Sequence, residues 1–135
     1  MPERVFTPEE ANAALAQVRP LAEEMVRERR RLVRAGERRS ELAARIAGNG
    51  GGIAPSEMAE AATELERAAA AVTSCVERIH ALGALVKDLD TGLVDFPARH
   101  RGRDVLLCWR LGEDEVAHWH GLEEGFAGRR PLPLD

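Results

Sequence analysis

The sequence contains no tyrosine, three phenylalanines and two tryptophans, so aromatic residues make up only 4% of its 135 positions. That scarcity argues against a β-sandwich and against a large aromatic-lined pocket. Lysine is nearly missing too: 18 of the 19 Lys and Arg residues are arginine. The net charge is −4, so no global excess of positive charge calls for nucleic acid or an anionic membrane. No apolar run approaches the ~20 residues of a membrane span, and no signal-peptide core follows Met1. Cysteine is limited to Cys75 and Cys108, with no close-spaced pair, which fits a reducing compartment. The chain is expected to be cytoplasmic. Its length suits one domain spanning residues 1–135 and not comfortably two.

What is abundant is alanine, at 22 residues. Alanine with leucine, glutamate and arginine favours long helices packed through small and aliphatic side chains. Thr7-Pro8-Glu9-Glu10 is a helix start: Thr7 as cap, Pro8 at the first helical position, Glu10 closing a capping box. Helical pattern runs from there to about Ala47, and Pro20 predicts a kink or break. Val18, Met25, Leu32 and Ile46 form one heptad ladder, with Arg39 as its polar member. Leu21, Ala22, Ala35, Leu42 and Ala43 supply much of the other, interrupted by Glu28 and Arg29, so the seam is coiled-coil-like but flawed. Gly48 to Gly52 ends the helix, and Pro55-Ser56-Glu57 restarts it. Met58, Leu65, Val72, Ile79 and Val86 then make a cleaner ladder, predicting a second helix to about Asp88. A short loop between two long helices makes an antiparallel hairpin over about residues 8–89.

The pattern changes after Asp90. Leu93 to Phe96 reads as a short strand stopped by Pro97. Val105 to Leu111 and Val116 to His120 read as a β-hairpin turning at Gly112 to Asp114, followed by an irregular tail that packs through Phe126 and Leu132. The expected fold is therefore α+β and mostly α: a long antiparallel helical hairpin, then a small antiparallel β module at about 92–135. A two-helix hairpin is thin. Self-association into a four-helix bundle, with a dimer favoured, covers the remaining apolar positions most simply; the alternative is a sheet that folds back and completes a monomer.

Five stretches carry a resemblance. One runs from Lys87 to Ala98 (KDLDTGLVDFPA). The next runs from Gly102 to Gly112 (GRDVLLCWRLG), followed by Trp119-His120 and Gly125-Phe126-Ala127-Gly128-Arg129. With Phe6 to Asn12 (FTPEEAN) at the other end, they resemble the bacterial domain-of-unknown-function family 2203, DUF2203, over essentially the whole chain. The resemblance implies no activity to carry over. In the family pattern an aromatic residue precedes Trp-His; here His118 holds that place, so the second histidine is this chain's own feature. Arg130 likewise stands where glutamine is common.

The cluster with most chemical potential is Cys108, His118 and His120. Two histidines two apart on a strand point to one face, and with a thiolate they can hold zinc or another transition metal. Register decides whether Cys108 joins them. If Leu111 faces Glu115, Cys108 faces His118 and all three share a face, with Trp109 and Trp119 on the other. If Leu111 faces Val116, Cys108 lies on the other face of the sheet from both histidines. Asp95 and Glu123 are candidate further ligands. The bland alternative is a packed cysteine and two hydrogen-bonded histidines. A second candidate is an anion or ligand site in which Arg101, Arg103 and Arg129 gather around Asp95, against a purely structural Asp–Arg tether. Glu77-x-x-His80 has the spacing of a di-iron bundle, but the heptad register turns it to water. The arginine-dense stretch Arg27 to Arg39 is interleaved with glutamates as on a solvated helix, which argues against nucleic acid as a partner. Gly48 to Gly52 lacks the context of a phosphate loop, and no nucleophile pattern or catalytic carboxylate pair is visible. The sequence reading is a self-associating or partner-binding protein, leaning away from an enzyme, with metal or anion binding by the β module as the alternative.

Overall fold

The computed structural model describes residues 4–49 and 52–134. Helix α1 spans Pro8–Asn49 and helix α2 spans Pro55–Ala81; they pack as the expected antiparallel hairpin. Gly50 and Gly51 of the glycine turn lie outside the described residues. The capping box forms in both directions: the Glu10 amide donates to Thr7 Oγ1 at 3.1 Å, and the Thr7 amide to Glu10 Oε1 at 2.8 Å. These bonds hold the Glu10 carboxyl below its usual range.

Two helix expectations need correction. Helix α1 runs unbroken through Pro20. Val18, Ala22 and Met25, on either side of it, are fully buried, so packing offsets the one hydrogen bond that proline removes. Helix α2 stops at Ala81 rather than near Asp88. Gly83, at φ 97°, reverses the chain there, and the Leu82 and Gly83 amides cap the last carbonyls. A Cβ at Gly83 would lie 3.0 Å from Arg4 Cδ and 3.2 Å from Phe6 Cε1, so the N-terminal segment packs directly on this turn. Val86 and Leu89, which continue the heptad in sequence, belong instead to the sheet region.

Five strands follow: β1 (Leu85–Asp88), β2 (Leu93–His100), β3 (Arg103–Arg110), β4 (His118–Gly121) and β5 (Arg130–Pro131). They form one antiparallel sheet in the order β1-β2-β3-β4-β5. Strand β2 continues through Pro97, against expectation. The Pro97 carbonyl accepts from the Phe6 amide at 2.7 Å, so its nitrogen also points away from β3. Strand β1 does not reach that far, and the missing N–H costs no ladder bond. Arg101 (φ 52°) and Gly102 (φ 75°) make the two-residue turn into β3, both with the positive φ that such hairpins need. The tail, expected to be irregular, adds a 3₁₀ turn at Phe126–Gly128 and then β5.

Alternation divides the sheet. Val94, Phe96, Ala98, Val105, Leu107, Trp109 and Trp119 join Phe6, Ala11, Leu15, Val18, Ala22, Met25, Val72, Cys75 and Ile79 in one core beneath the helices. Asn12 ties α1 to the sheet: its Oδ1 accepts from the Val116 amide at 2.7 Å and its Nδ2 donates to the Val116 carbonyl at 3.3 Å. Along α1 this core ends at Val26, and Arg29 makes an ion pair with Asp90. Beyond it the hairpin is an arm two helices thick, whose buried seam is Ala35, Leu42, Ala61 and Ala68. Among the described residues, no helix is long and apolar enough to cross a membrane.

Candidate metal centre

The other face of the sheet carries Asp95, Pro97, Leu106, Cys108, His118 and His120. Cys108 pairs with His118 and Leu107 with Trp119, so the first of the two registers is the observed one, although the connection is longer than a tight turn. Cys108, His118 and His120 share a face, and Trp109 and Trp119 lie on the other. The Arg101–Gly102 turn sets Asp95 opposite Cys108 in the neighbouring pair. One row across the sheet therefore reads Asp95, Cys108, His118, with His120 one step along β4.

Asp95 is 1% exposed, Cys108 0% and His120 3%. Asp95, Cys108 and His120 each offer a ligand atom, and these atoms all lie within 4.8 Å of one another. His118, only partly buried, is not in that group. Its Nδ1 is buried with no hydrogen-bond partner among the described residues. Glu123, the other further ligand considered, is exposed and lies outside the cluster.

With a neutral His120 ring and an ionised Asp95, the cluster sets two acceptors face to face. His120 Nδ1 lies 2.8 Å from the Gly121 carbonyl oxygen, which only accepts, so Nδ1 carries a proton. In the neutral ring Nε2 is then an acceptor, yet it faces Asp95 Oδ2 at 3.2 Å, another acceptor. Asp95 Oδ1 is buried with no hydrogen-bond partner among the described residues. Burial pushes the Asp95 carboxyl above its usual range, despite the opposing pull of His120. Burial also pushes the Cys108 thiol up to about 12, and the Asp95 carboxylate beside it adds to the shift. The thiol is therefore no free nucleophile. A proton or a cation between Asp95 and Nε2 would remove the clash.

The 3₁₀ turn lies over this face. Arg110 and Arg129 place their guanidinium carbons 5.1 and 4.6 Å from the Phe126 ring centre. Arg129 donates to both Glu113 carboxylate oxygens, at 2.8 and 2.9 Å, and to the Cys108 carbonyl at 3.3 Å. Burial works upward on the Glu113 carboxyl, but Arg129 and the Arg110 amide outweigh it and hold the group below its usual range. The same loop is fixed to α1, where Arg19 donates to the Glu113 and Asp114 carbonyls at 3.0 and 2.7 Å.

The predicted ring of arginines around Asp95 does not form. Asp95 meets His120 rather than an arginine, and Arg129 is committed to Glu113. Arg101 and Arg103 are exposed at the β2–β3 turn, on an open cleft of about 920 Å³ that also includes Trp119, Glu124 and Arg130. Within it Arg130 stacks 4.5 Å from the Trp119 ring centre and pairs with Glu124 at 2.6 Å. Glu77 and His80 are exposed, as expected, and His80 Nε2 accepts from the Val86 amide at 3.3 Å. Cys75 lies in the helical core, where its thiol donates to Glu24 Oε2 at 3.1 Å.

Neither the curated proteins nor the solved structures yield a match to this chain. A family model does match, over residues 4–132, and the chain belongs to the family described as "Uncharacterized conserved protein (DUF2203)".

Proposed function

We propose that the protein binds a transition-metal ion of the zinc class through Asp95, Cys108 and His120. The observation that carries this reading is the convergence of three buried ligand atoms within 4.8 Å on one sheet face. A thiol, an imidazole and a carboxylate suit zinc or cobalt(II) better than magnesium or calcium, which prefer oxygen ligands alone. The His120 Nδ1 bond to the Gly121 carbonyl would serve as the outer contact of a metal-binding imidazole, since it turns Nε2 toward Asp95. A divalent cation would also compensate the buried carboxylate and take Cys108 as thiolate, releasing its proton, so binding should tighten as pH rises.

The test is native mass spectrometry of protein purified without chelator, followed by cobalt(II) titration. The expected result is one ion per chain and a thiolate-to-cobalt charge-transfer band that Cys108→Ser removes and His120→Ala weakens. Failure of the wild-type chain to take up zinc or cobalt would refute the reading.

A second reading, self-association through the helical arm, has its own support. Beyond the sheet the two helices bury mainly small side chains between them, while Val33 and Ile46 remain 40% and 45% exposed. We propose this arm as the contact between copies of the chain, whether or not the metal reading holds.

A further inference from the structure

We infer that His118 supplies the fourth ligand of this centre, through Nδ1, making it a closed tetrahedral site that holds the sheet together. The inference rests on the metal reading above. Asp95, Cys108 and His120 leave a tetrahedron one vertex short, and a structural zinc site fills all four positions with protein ligands. His118 lies directly across the ladder from Cys108, on the same face. Opposed residues of antiparallel strands bring their Cβ atoms to about 5 Å. Nδ1 is the ring nitrogen nearer the backbone, and so suits a short reach toward a cation over Cys108. That atom is buried, with no hydrogen-bond partner among the described residues.

Two nearby carboxylates are already held. Glu113 is held by Arg129 and the Arg110 amide. Glu124 is held by Arg130 and the Gly121 amide. Asp95 comes from β2, Cys108 from β3 and both histidines from β4. A cation on all four would cross-link three adjacent strands and secure β4, the strand on which β5 and the tail depend. The role is structural, because no vertex is left for a substrate or an activated water.

The test is a long-range nitrogen–proton correlation spectrum of the imidazoles in zinc-loaded wild-type protein. Zinc on Nδ1 of His118 and on Nε2 of His120 is expected. A loaded protein in which both His118 nitrogens keep metal-free shifts would overturn the inference. Cobalt(II) titration of His118→Ala gives a second readout. Loss of an outer contact alone weakens metal sites by about 10- to 100-fold, so losing a ligand should weaken binding at least about tenfold. The intense tetrahedral ligand-field bands should also fade, while His80→Ala, on the exposed face of α2, should match wild type. Equal affinity and spectrum for His118→Ala and wild type would remove His118 from the site and leave the three-ligand reading standing. Absence of metal uptake by wild type would instead refute both.

Discussion

Replacing Asp95 by asparagine tests the proton mismatch and the metal reading at once. Asparagine keeps the shape of aspartate but brings an NH₂ donor. Turned toward His120, that amide can donate to Nε2, where the carboxylate presents a second acceptor. A buried polar group left unsatisfied costs about 1–3 kcal/mol, and a matched hydrogen bond contributes about 1 kcal/mol. In chelator, Asp95→Asn should therefore be more stable than wild type by about 2 kcal/mol at neutral pH. For a domain of this size that is roughly 8 °C in melting temperature, at about 4 °C per kcal/mol. The pH dependence has a definite sign. The Asp95 carboxyl titrates above its ordinary 3.8 in the folded chain. Its contribution to wild-type stability is thus full below 3.8 and lost as pH rises through the raised value, so the advantage of asparagine grows across that window. Saturating zinc should invert the order. A ligand at a thousand times its Kd stabilises by about 4 kcal/mol, and only the wild-type chain keeps the carboxylate ligand. Thermal melts by circular dichroism, with EDTA and with zinc, read both limbs. If Asp95→Asn is the less stable protein in EDTA, the carboxylate is held by a charged His120 and the mismatch argument is wrong.

Two other outcomes are expected. Arg129→Ala should cost about 2 kcal/mol, because Glu113 and the Cys108 carbonyl both lose a charged donor in a half-buried setting; Arg129→Lys should recover only part of this, since it lacks the two-pronged fork, and chemical denaturation would measure both. Val33→Glu with Ile46→Glu should reduce the mass measured by light scattering to that of one chain without lowering the melting temperature; an unchanged multimer would exclude the arm as the contact. Ile79, on the heptad ladder of α2, is fully buried in the core of a single chain, and a charge there would test folding instead.

The helices were legible because their signals are local. A capping box, heptad spacing and glycine breaks act within a few residues, and most of each seam is buried or half-buried as spaced, with Ala43 and Ile46 exposed. The end of α2 was not, because Val86 and Leu89 keep the seven-residue period although they lie in β1 and in the turn after it. Gly83 was the available sign of the change. In the site, alternation alone places His118 and His120 on one face, and Asp95, named as a candidate further ligand, does join Cys108 and His120; the arginines expected around it do not. Reading Pro97 as the end of a strand hid the hairpin that follows. Arg101-Gly102 as a two-residue turn would have set Asp95 opposite Cys108 by counting alone. Whether Asp95 meets an arginine or a histidine depends on the pairing of β4 with β3 and on how the tail folds back, long-range contacts that no local pattern encodes.

The strand order has a kinetic side. A sheet whose strands lie in chain order can grow one hairpin at a time, without closing long loops. Asp95 and Cys108 come together when β2 and β3 pair; His118 and His120 arrive only with β4. An ion that needs all of them would find its site complete only near the end of folding. It would then lengthen the lifetime of the folded chain far more than it hastens folding, leaving a protein slow to let go of its metal once formed.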